Sequence, residues 1–194
     1  PYRTDALRLM AIINFRQGHM DAAKADFEDL LASGNYRMDA LFYLGRIEDS
    51  RSNYEDAVAY YTEVTSGSNA VRSQSRAAGI LAEQGEPEEA LAHLDRFAEI
   101  NPNYAVDMLR SKAQILASLD RYDEALEHFD QAIAYRPNEE GLRLSRAELT
   151  LRMGDVDSAI EQYEQTVKRW PDSPMSLNAL GYTLADRTDE YKEA

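Results

Sequence analysis

The chain has 194 residues, 44% of them apolar, and its 35 acidic and 21 basic residues give a formal net charge of −14. This apolar content is enough for a hydrophobic core and excludes a wholly disordered chain. The lack of cysteine excludes disulfides and thiol catalysis, and the acidic balance argues against nucleic acid or an anionic membrane as the main partner.

In chain order, the same pattern of residues recurs about every 34 residues. A small residue marks each copy at Ala23, Ala57, Ala90, Ala125 and Ala159. Four residues later comes a large side chain, at Phe27, Tyr61, Leu94, Phe129 and Tyr163. Twelve residues after each alanine comes a residue that suits the end of a helix, at Asn35, Asn69, Pro102, Pro137 and Pro171.

Within each copy, the apolar residues follow helical rather than strand spacing, and this predicts two helices per copy, A and then B. The predicted repeats span about 4–37, 38–70, 71–105, 106–139 and 140–173, with a partial sixth at 174–194. Helix A is predicted to end near Gly18, Ser52, Gly85, Asp120 and Gly154, and the glycines among these suit the left-handed residue that follows a helix end. Small residues at equivalent places on both helices predict a close approach between A and B.

This pattern resembles the tetratricopeptide repeat (TPR), most clearly in the fourth copy. The matching residues there are Leu109, Ala113, Leu116, Tyr122, Ala125, Phe129, Ala132 and Pro137. The resemblance implies an all-α fold, a TPR superhelical solenoid of helix–turn–helix repeats that forms a single array over 1–194. It also implies a non-enzymatic scaffold for protein–protein interaction. Gln74 and Arg143 replace the large residue of the family's first helix, which predicts looser packing at those two places.

The two ends of the sequence suggest a fragment of a longer chain. The sequence begins at Pro1 without a methionine and ends at Ala194 within a helical pattern. The last predicted helix A carries Leu177, Leu180 and Leu184 without a complete partner helix. An uncovered terminal repeat exposes apolar surface, so self-association through this repeat is expected.

No residue pattern supports catalysis, a cofactor or a metal. His93 and His128 occupy equivalent places in successive B helices and are predicted to lie at the surface or its rim, and His19 stands alone. The paired carboxylates fall at the starts of B helices, where they stabilise the positive end of the helix dipole. Phosphate-binding loops, nucleophile elbows and metal-ligand motifs are absent from the sequence. The chain is therefore predicted to be neither an enzyme nor a cofactor- or metal-binding protein.

The resemblance to TPR proteins also implies that helix A lines a concave, peptide-binding groove. The candidate groove residues are Arg8, Ile12, Phe42, Tyr43, Arg46, Arg72, Arg76, Arg110, Gln114 and Tyr182. Arg72, Arg76 and Arg110 are the first choices for binding a carboxylate. Phe42, Tyr43 and Tyr182 are the first choices for apolar contact. The alternative is that some of these side chains contact the neighbouring helix instead.

Charge divides unevenly between the predicted faces. The predicted groove carries seven acidic and seven basic residues, so most of the acidic excess is expected on the B helices and loops. A second hypothesis is therefore that an acidic convex face docks a basic partner. The chaperone-type carboxylate clamp of the family is incomplete, because Ile12 and Tyr43 stand at its asparagine places.

Residues 176–189 resemble a segment of large TPR lipoproteins in Gram-negative bacteria. One protein of that group, from a pseudomonad, is an adaptor of a carboxy-terminal processing protease. The resemblance implies a periplasmic protein anchored to the outer membrane, with the protease and its cell-wall hydrolase substrates as partners. A cytoplasmic location is the alternative.

Overall fold

The structure, a computed structural model, describes the backbone of residues 2–193 and the side chains of residues 3–186. Its helices are α1 (Tyr2–Arg16), α2 (Met20–Ala32), α3 (Arg37–Ser50), α4 (Tyr54–Thr62), α5 (Ala70–Glu83), α6 (Pro87–Ile100), α7 (Ala105–Ser118), α8 (Tyr122–Tyr135), α9 (Glu140–Arg152), α10 (Val156–Arg169) and α11 (Pro174–Glu193). A short 3-10 turn at Pro102–Tyr104 precedes α7. The described residues contain no β-strand, and the all-α prediction is confirmed.

The turns inside the helix pairs follow one geometry. Gly18, Gly85 and Gly154 have φ between +79° and +87°, and Ser52 and Asp120 adopt the same left-handed region at +62° and +57°. The residue after each of them donates its N–H to the carbonyl five residues back, at 2.9–3.3 Å. This bond satisfies a carbonyl that the end of helix A leaves unpaired. The predicted ends of helix A near these five residues are confirmed, and the left-handed residue is a glycine in three of the turns and Ser52 or Asp120 in the other two.

The helices form two compact units, Pro1–Tyr104 (unit 1) and Ala105–Ala194 (unit 2). In unit 1, α1 packs on α2, α3 on α4 and α5 on α6, and the pairs are joined through α2 with α3 and α4 with α5. In unit 2, α7 packs on α8 and α9 on α10, with α8 against α9 and α10 against α11. The division into six repeats stays a prediction, and Ala194 lies outside the described residues.

Small side chains lie where the paired helices meet. The five periodic alanines of the B helices are fully buried, as are Ala11, Ala78, Ala113 and Ala147 of the A helices. Gly45 is buried too, whereas Gly181 at the equivalent place in α11 is exposed with open space around it. The burial of these residues agrees with the close approach predicted within the complete pairs, since small side chains let paired helices come close.

The looser packing predicted at Gln74 is wrong. Gln74 is fully buried, and its Nε2 lies 3.3, 3.1 and 2.9 Å from the carbonyl oxygens of Tyr61, Thr62 and Val64. Tyr61 and Thr62 are the last residues of the nine-residue helix α4 and Val64 follows it, and of these carbonyls that of Tyr61 also accepts the N–H of Val64 at 3.1 Å. The glutamine side chain therefore supplies the donors that the short helix lacks.

The other polar end of Gln74 faces a histidine. Its Oε1 lies 2.7 Å from Nε2 of His93, which is half-buried. Because the Gln74 amide nitrogen faces three acceptors, its oxygen is the acceptor for the His93 ring N–H. Burial lowers the pKa of His93 below the usual value of 6.5, and this favours the neutral ring.

Candidate functional site

The A helices of unit 1 present a charged and aromatic surface, which we call the A-helix face. Its residues come from α1, α3 and α5 and are Arg8, Ile12, Phe42, Tyr43, Arg46, Arg72 and Arg76. These are seven of the ten predicted site residues, and the remaining three lie in unit 2. The contacts among the first seven show how the three helices are held side by side.

Two arginines of the A-helix face are used inside the protein. Arg8 donates from Nε to Oδ2 of Asp39 at 2.7 Å, which ties α1 to α3. Arg76 binds Asp49 through Nε and Nη2 at 2.7 and 2.8 Å, which ties α5 to α3, and its Nη1 binds Glu83 at 2.8 Å. A fork of this kind is among the strongest charge-assisted contacts. Arg8 and Arg76 therefore stabilise the surface and have few donors left for a ligand.

The electrostatics of Asp49 agree with this structural role. The hydrogen bond from Arg76 holds the pKa of Asp49 below its usual range, against the effect of burial. The same contact raises the pKa of Arg76, so both groups are charged at neutral pH. Tyr61 lies behind them with its hydroxyl 3.4 Å from Asp49, and burial raises its pKa.

An aromatic cluster underlies the same surface. The Tyr43 ring stacks on Phe27 with centroids 4.7 Å apart and meets Phe15 and Phe42 edge to face at 5.2 Å. Tyr43 and Ile12 are half-buried, whereas Phe42 is only 3% exposed. Phe42 thus takes the alternative role, contact with neighbouring helices, and belongs to the core of unit 1.

Arg46 and Arg72 differ from the paired arginines because they lie over aromatic rings. The Arg46 guanidinium carbon is 4.5 Å from the ring centre of Phe15 and 5.6 Å from that of Phe42. The Arg72 guanidinium carbon is 5.9 Å from the same Phe42 ring. Both side chains are exposed, and no carboxylate of the described residues forms an ion pair with either. Ring contacts orient a guanidinium without using its N–H donors, so both keep donors for a ligand.

The three predicted residues of unit 2 are not brought together. Arg110 is used internally, with Nη2 3.0 Å from Asp107 and Nη1 3.3 Å from Glu139. Gln114 is exposed and lines a cleft of about 200 Å³ that also has Glu148 and Arg152 in its wall. Tyr182 is 77% exposed and lines a different cleft on α11.

The charged residues of the A helices were predicted from the sequence, but the ion pairs between them were not. Arg8 with Asp39 and Arg76 with Asp49 are separated by 31 and 27 residues along the chain. A signal for this was available, because opposite charges stand on A helices of successive repeats. This pairing of opposite charges across helices agrees with the equal numbers of acidic and basic residues in the predicted groove, although the whole chain has a net charge of −14.

A search of the described residues found no group of three or more histidine or carboxylate side chains placed to hold a metal ion. None of the described helices is both long and apolar enough to cross a bilayer.

The helix pairs, the left-handed turns and the surface of the A helices define a repeat scaffold. The chain belongs to the tetratricopeptide repeat family, since one model of the repeat matches residues 8–71 and 76–140 and a second matches 116–180. Proteins of this family are generally non-catalytic scaffolds that bind peptides or proteins in a groove.

Among individual proteins, the chain is 31% identical over 155 residues to a TPR repeat-containing protein of Pseudomonas aeruginosa. The match covers 80% of this chain and 26% of that protein, so the chain spans about a quarter of that relative's length. A solved TPR protein of Thermus thermophilus aligns with a TM-score of 0.61 at 23% identity, over 94% of this chain and 99% of its own. YrrB, a TPR protein described as having an unusual peptide-binding site, aligns with a TM-score of 0.52 at 18% identity, over 89% of each chain. The predicted fold class, a TPR solenoid, is confirmed.

Proposed function

We propose that this chain is a non-enzymatic scaffold that binds an extended segment of a partner protein on the A-helix face of unit 1. The observation that carries the proposal is the pair Arg46 and Arg72, whose guanidinium groups lie over one ring, Phe42, and form no ion pair with a carboxylate of the described residues. Arginine and aromatic side chains are enriched at the energetic centres of protein interfaces.

The chemistry of the pair favours a partner segment with an acidic side chain. Each guanidinium offers planar donors that match a carboxylate, and its ring contacts restrict its motion before the ligand arrives. Restricting a side chain in advance lowers the entropy lost on binding. The half-buried Tyr43, whose ring centre is 5.9 Å from the Arg46 guanidinium carbon, offers apolar contact to a neighbouring residue of the same segment, and Ile12 packs on the same core cluster as Tyr43.

For the full-length protein we propose the role of a periplasmic adaptor at the outer membrane that brings substrates to a carboxy-terminal processing protease. Support comes from the resemblance at residues 176–189 and from the relationship to the Pseudomonas TPR protein. The test is co-purification of the full-length protein with a carboxy-terminal processing protease of its own organism, together with cell fractionation. Recovery in the cytoplasm without the protease contradicts this role and leaves the proposed peptide-binding surface intact.

The binding surface is tested with a fluorescein-labelled peptide of alternating leucine and glutamate, followed by fluorescence anisotropy. The test variant is Arg46→Gln/Arg72→Gln. The control is Arg37→Gln/Arg96→Gln, which removes the same charge from two exposed arginines whose partners Glu63 and Glu89 are also exposed. Loss of two charge-assisted contacts is expected to weaken binding by about tenfold or more, while the control changes it less than about twofold.

Equal binding by the test variant and the wild type contradicts the assignment of the A-helix face. A lysine-rich peptide that binds instead, with steep weakening by salt and no response to the variant, favours the acidic-face hypothesis. Light scattering across a concentration series tests self-association, for which the exposed Leu177 and Leu184 of α11 are the proposed contact.

A further inference from the structure

Unit 2 contains a basic cleft in an otherwise acidic protein. The cleft lies between α8, α9 and α10, and its more enclosed part has a volume of about 230 Å³, next to an open depression of about 300 Å³. Its walls, together with those of the shallower depression next to it, carry one acidic and four basic side chains, Asp130, Arg143, Arg146, Lys168 and Arg169. We call these residues and the space between them the basic cleft.

Only one of the four basic side chains is neutralised within the described residues. Arg146 binds Asp130 through Nε at 2.6 Å and Gln162 through Nη1 at 2.7 Å. Arg143 donates from Nη2 to the Pro137 carbonyl at 3.3 Å, and its solvent-shielded Nε has no hydrogen-bond partner.

The other two cations also lack a carboxylate. Arg169 donates to the amide oxygen of Asn138 and lies over the Trp170 ring at 5.3 Å, and both contacts leave its charge uncompensated. Lys168 is exposed and forms no ion pair with any described residue. Three neighbouring cations therefore share one depression without a counter-charge among the described side chains.

The basic cleft gathers cations of a kind that other parts of the chain pair. Just over half of the arginines whose side chains are described form an ion pair with a carboxylate, often across helices as in Arg8 with Asp39 and Arg110 with Glu139. Like charges that are held close together repel, and an anion placed among them relieves the repulsion. The remaining walls are formed mainly by Gln162, Gln165 and Thr166, whose side chains already hydrogen-bond within the protein, so that the cations are the main groups that the cleft offers to a ligand.

The size and setting of the cleft restrict the anion. A long polyanion such as nucleic acid, or an anionic membrane surface, would meet the net charge of −14 beyond the cleft and be repelled. A carboxylate on a flexible side chain reaches the cations over a short range, within which the surrounding charge is partly screened by salt. We propose that the basic cleft binds side-chain carboxylates of an acidic segment of a partner protein, as a second site that shares no residue with the A-helix face.

The test uses the whole chain and a fluorescein-labelled peptide of four consecutive glutamates, acetylated and amidated so that it has no terminal charges. The test variant is Lys168→Gln/Arg169→Gln. Two controls remove the same charge elsewhere: Arg37→Gln/Arg96→Gln at exposed ion pairs, and Arg46→Gln/Arg72→Gln on the A-helix face. Circular dichroism and the thermal midpoint establish that each variant is folded. A further variant, Arg143→Gln, tests the cation on α9.

The proposal expects the test variant and Arg143→Gln each to weaken binding by about tenfold, with less than about twofold change in Arg37→Gln/Arg96→Gln. Equal weakening in all variants overturns it, because that result reports only net charge. Preference for an otherwise neutral peptide with a free C-terminus overturns it in favour of a terminal carboxylate. Concentration-dependent association of the chain that the test variant abolishes points to a second copy as the partner and also overturns it. Weakening by Arg46→Gln/Arg72→Gln alone locates binding on the A-helix face and separates this proposal from the proposed function.

Discussion

The ring of Tyr61 packs directly on the backbone of Gly45, so that a β-carbon at position 45 would lie 2.7 Å from Cδ1 of the tyrosine. Gly45 lies in α3 and Tyr61 in α4, the two helices of one pair. The tyrosine ring is 3% exposed and has core on its other sides, so it has little room to move. Glycine at 45 is therefore a condition for the close contact of these helices.

We expect Gly45→Ala to destabilise the protein by about 1–3 kcal/mol, because the added methyl overpacks the α3–α4 contact. Urea denaturation measures the change. Gly79→Ala is the matched control, since that helical glycine has only the Arg76 side chain near it, at 3.8 Å. Alanine has a higher helix propensity than glycine, so the free energy of unfolding of Gly79→Ala should be about 0.5–1 kcal/mol higher than that of the wild type. A stable Gly45→Ala protein would contradict the contact.

The fork between Arg76 and Asp49 should contribute to stability rather than to ligand binding. A double-mutant cycle with Arg76→Gln and Asp49→Asn should give a coupling of about 1 kcal/mol, because the pair is bidentate and Asp49 is largely shielded. The cycle for the exposed pair Arg96 and Glu89 should give about 0–0.5 kcal/mol. Peptide affinity of folded Arg76→Gln should stay within about twofold of wild type, since Arg46 and Arg72 remain. A larger loss would make Arg76 a ligand-binding residue.

The buried carboxylate of Glu48 should make stability fall in acid. Glu48 is 1% exposed, and burial alone would raise its pKa. Asn53 donates a hydrogen bond to its carboxylate at 2.7 Å, and the Nζ of Lys24 lies 2.9 Å from it. These two contacts together lower the pKa of Glu48 below the usual 4.5. The unfolded chain then binds this proton at higher pH than the folded chain does. The stabilisation is complete above the usual pKa and is lost as the pH falls through the lower folded value.

The measurement is the free energy of unfolding in urea between pH 7 and pH 3 for wild type and Glu48→Gln. The variant is expected to be less stable at pH 7 and to lose less stability in acid than the wild type. Glu55→Gln, at an exposed place in α4, is the control and should follow the wild-type curve. Parallel curves for wild type and Glu48→Gln would show that the ion pair with Lys24 contributes no pH dependence.

Replacing Gln74 should lower the stability of the protein even when the new side chain has a similar size. Gln74→Leu removes the side-chain donor that the carbonyls of Tyr61, Thr62 and Val64 share in a buried site, although that of Tyr61 keeps the N–H of Val64. We expect a loss of about 1–3 kcal/mol, the cost of buried unsatisfied polar groups. Gln131→Leu, exposed in α8, should change stability by less than about 0.5 kcal/mol. Thermal unfolding of the two variants compares them directly.

His93 should add a second pH dependence, at higher pH. Burial lowers its pKa, so the unfolded chain takes up this proton first, and stability falls as the pH drops from neutral through 6.5 toward the folded value. The thermal midpoint of wild type should therefore decrease between pH 7.5 and 5.5, and that of His93→Gln should decrease less. His19→Gln, at an exposed histidine, should keep the wild-type slope. Equal slopes in all three proteins would exclude His93 as the source.

Local patterns determined most of the fold. Spacing within a single repeat, where interacting residues are few positions apart, predicts the helix pairs and their periodic alanines. It also predicts the turns at Gly18, Ser52 and Asp120. The candidate site was less accessible from the sequence, because the use of each arginine depends on what lies across the neighbouring helix. Arg72 and Arg76 come from the same helix, yet one lies over Phe42 and the other is held by Asp49.

What the sequence by itself determined is thus an acidic, all-α repeat protein with its small residues at the helix contacts. Only the tertiary structure decided which cations are compensated. Ion pairs depend on distances of 3–4 Å between side chains from different helices, and those distances are set by how the helices pack. Packing pairs Arg8, Arg76 and Arg110 with carboxylates, leaves Arg46 and Arg72 exposed over aromatic rings, and places Arg143, Lys168 and Arg169 around one basic cleft.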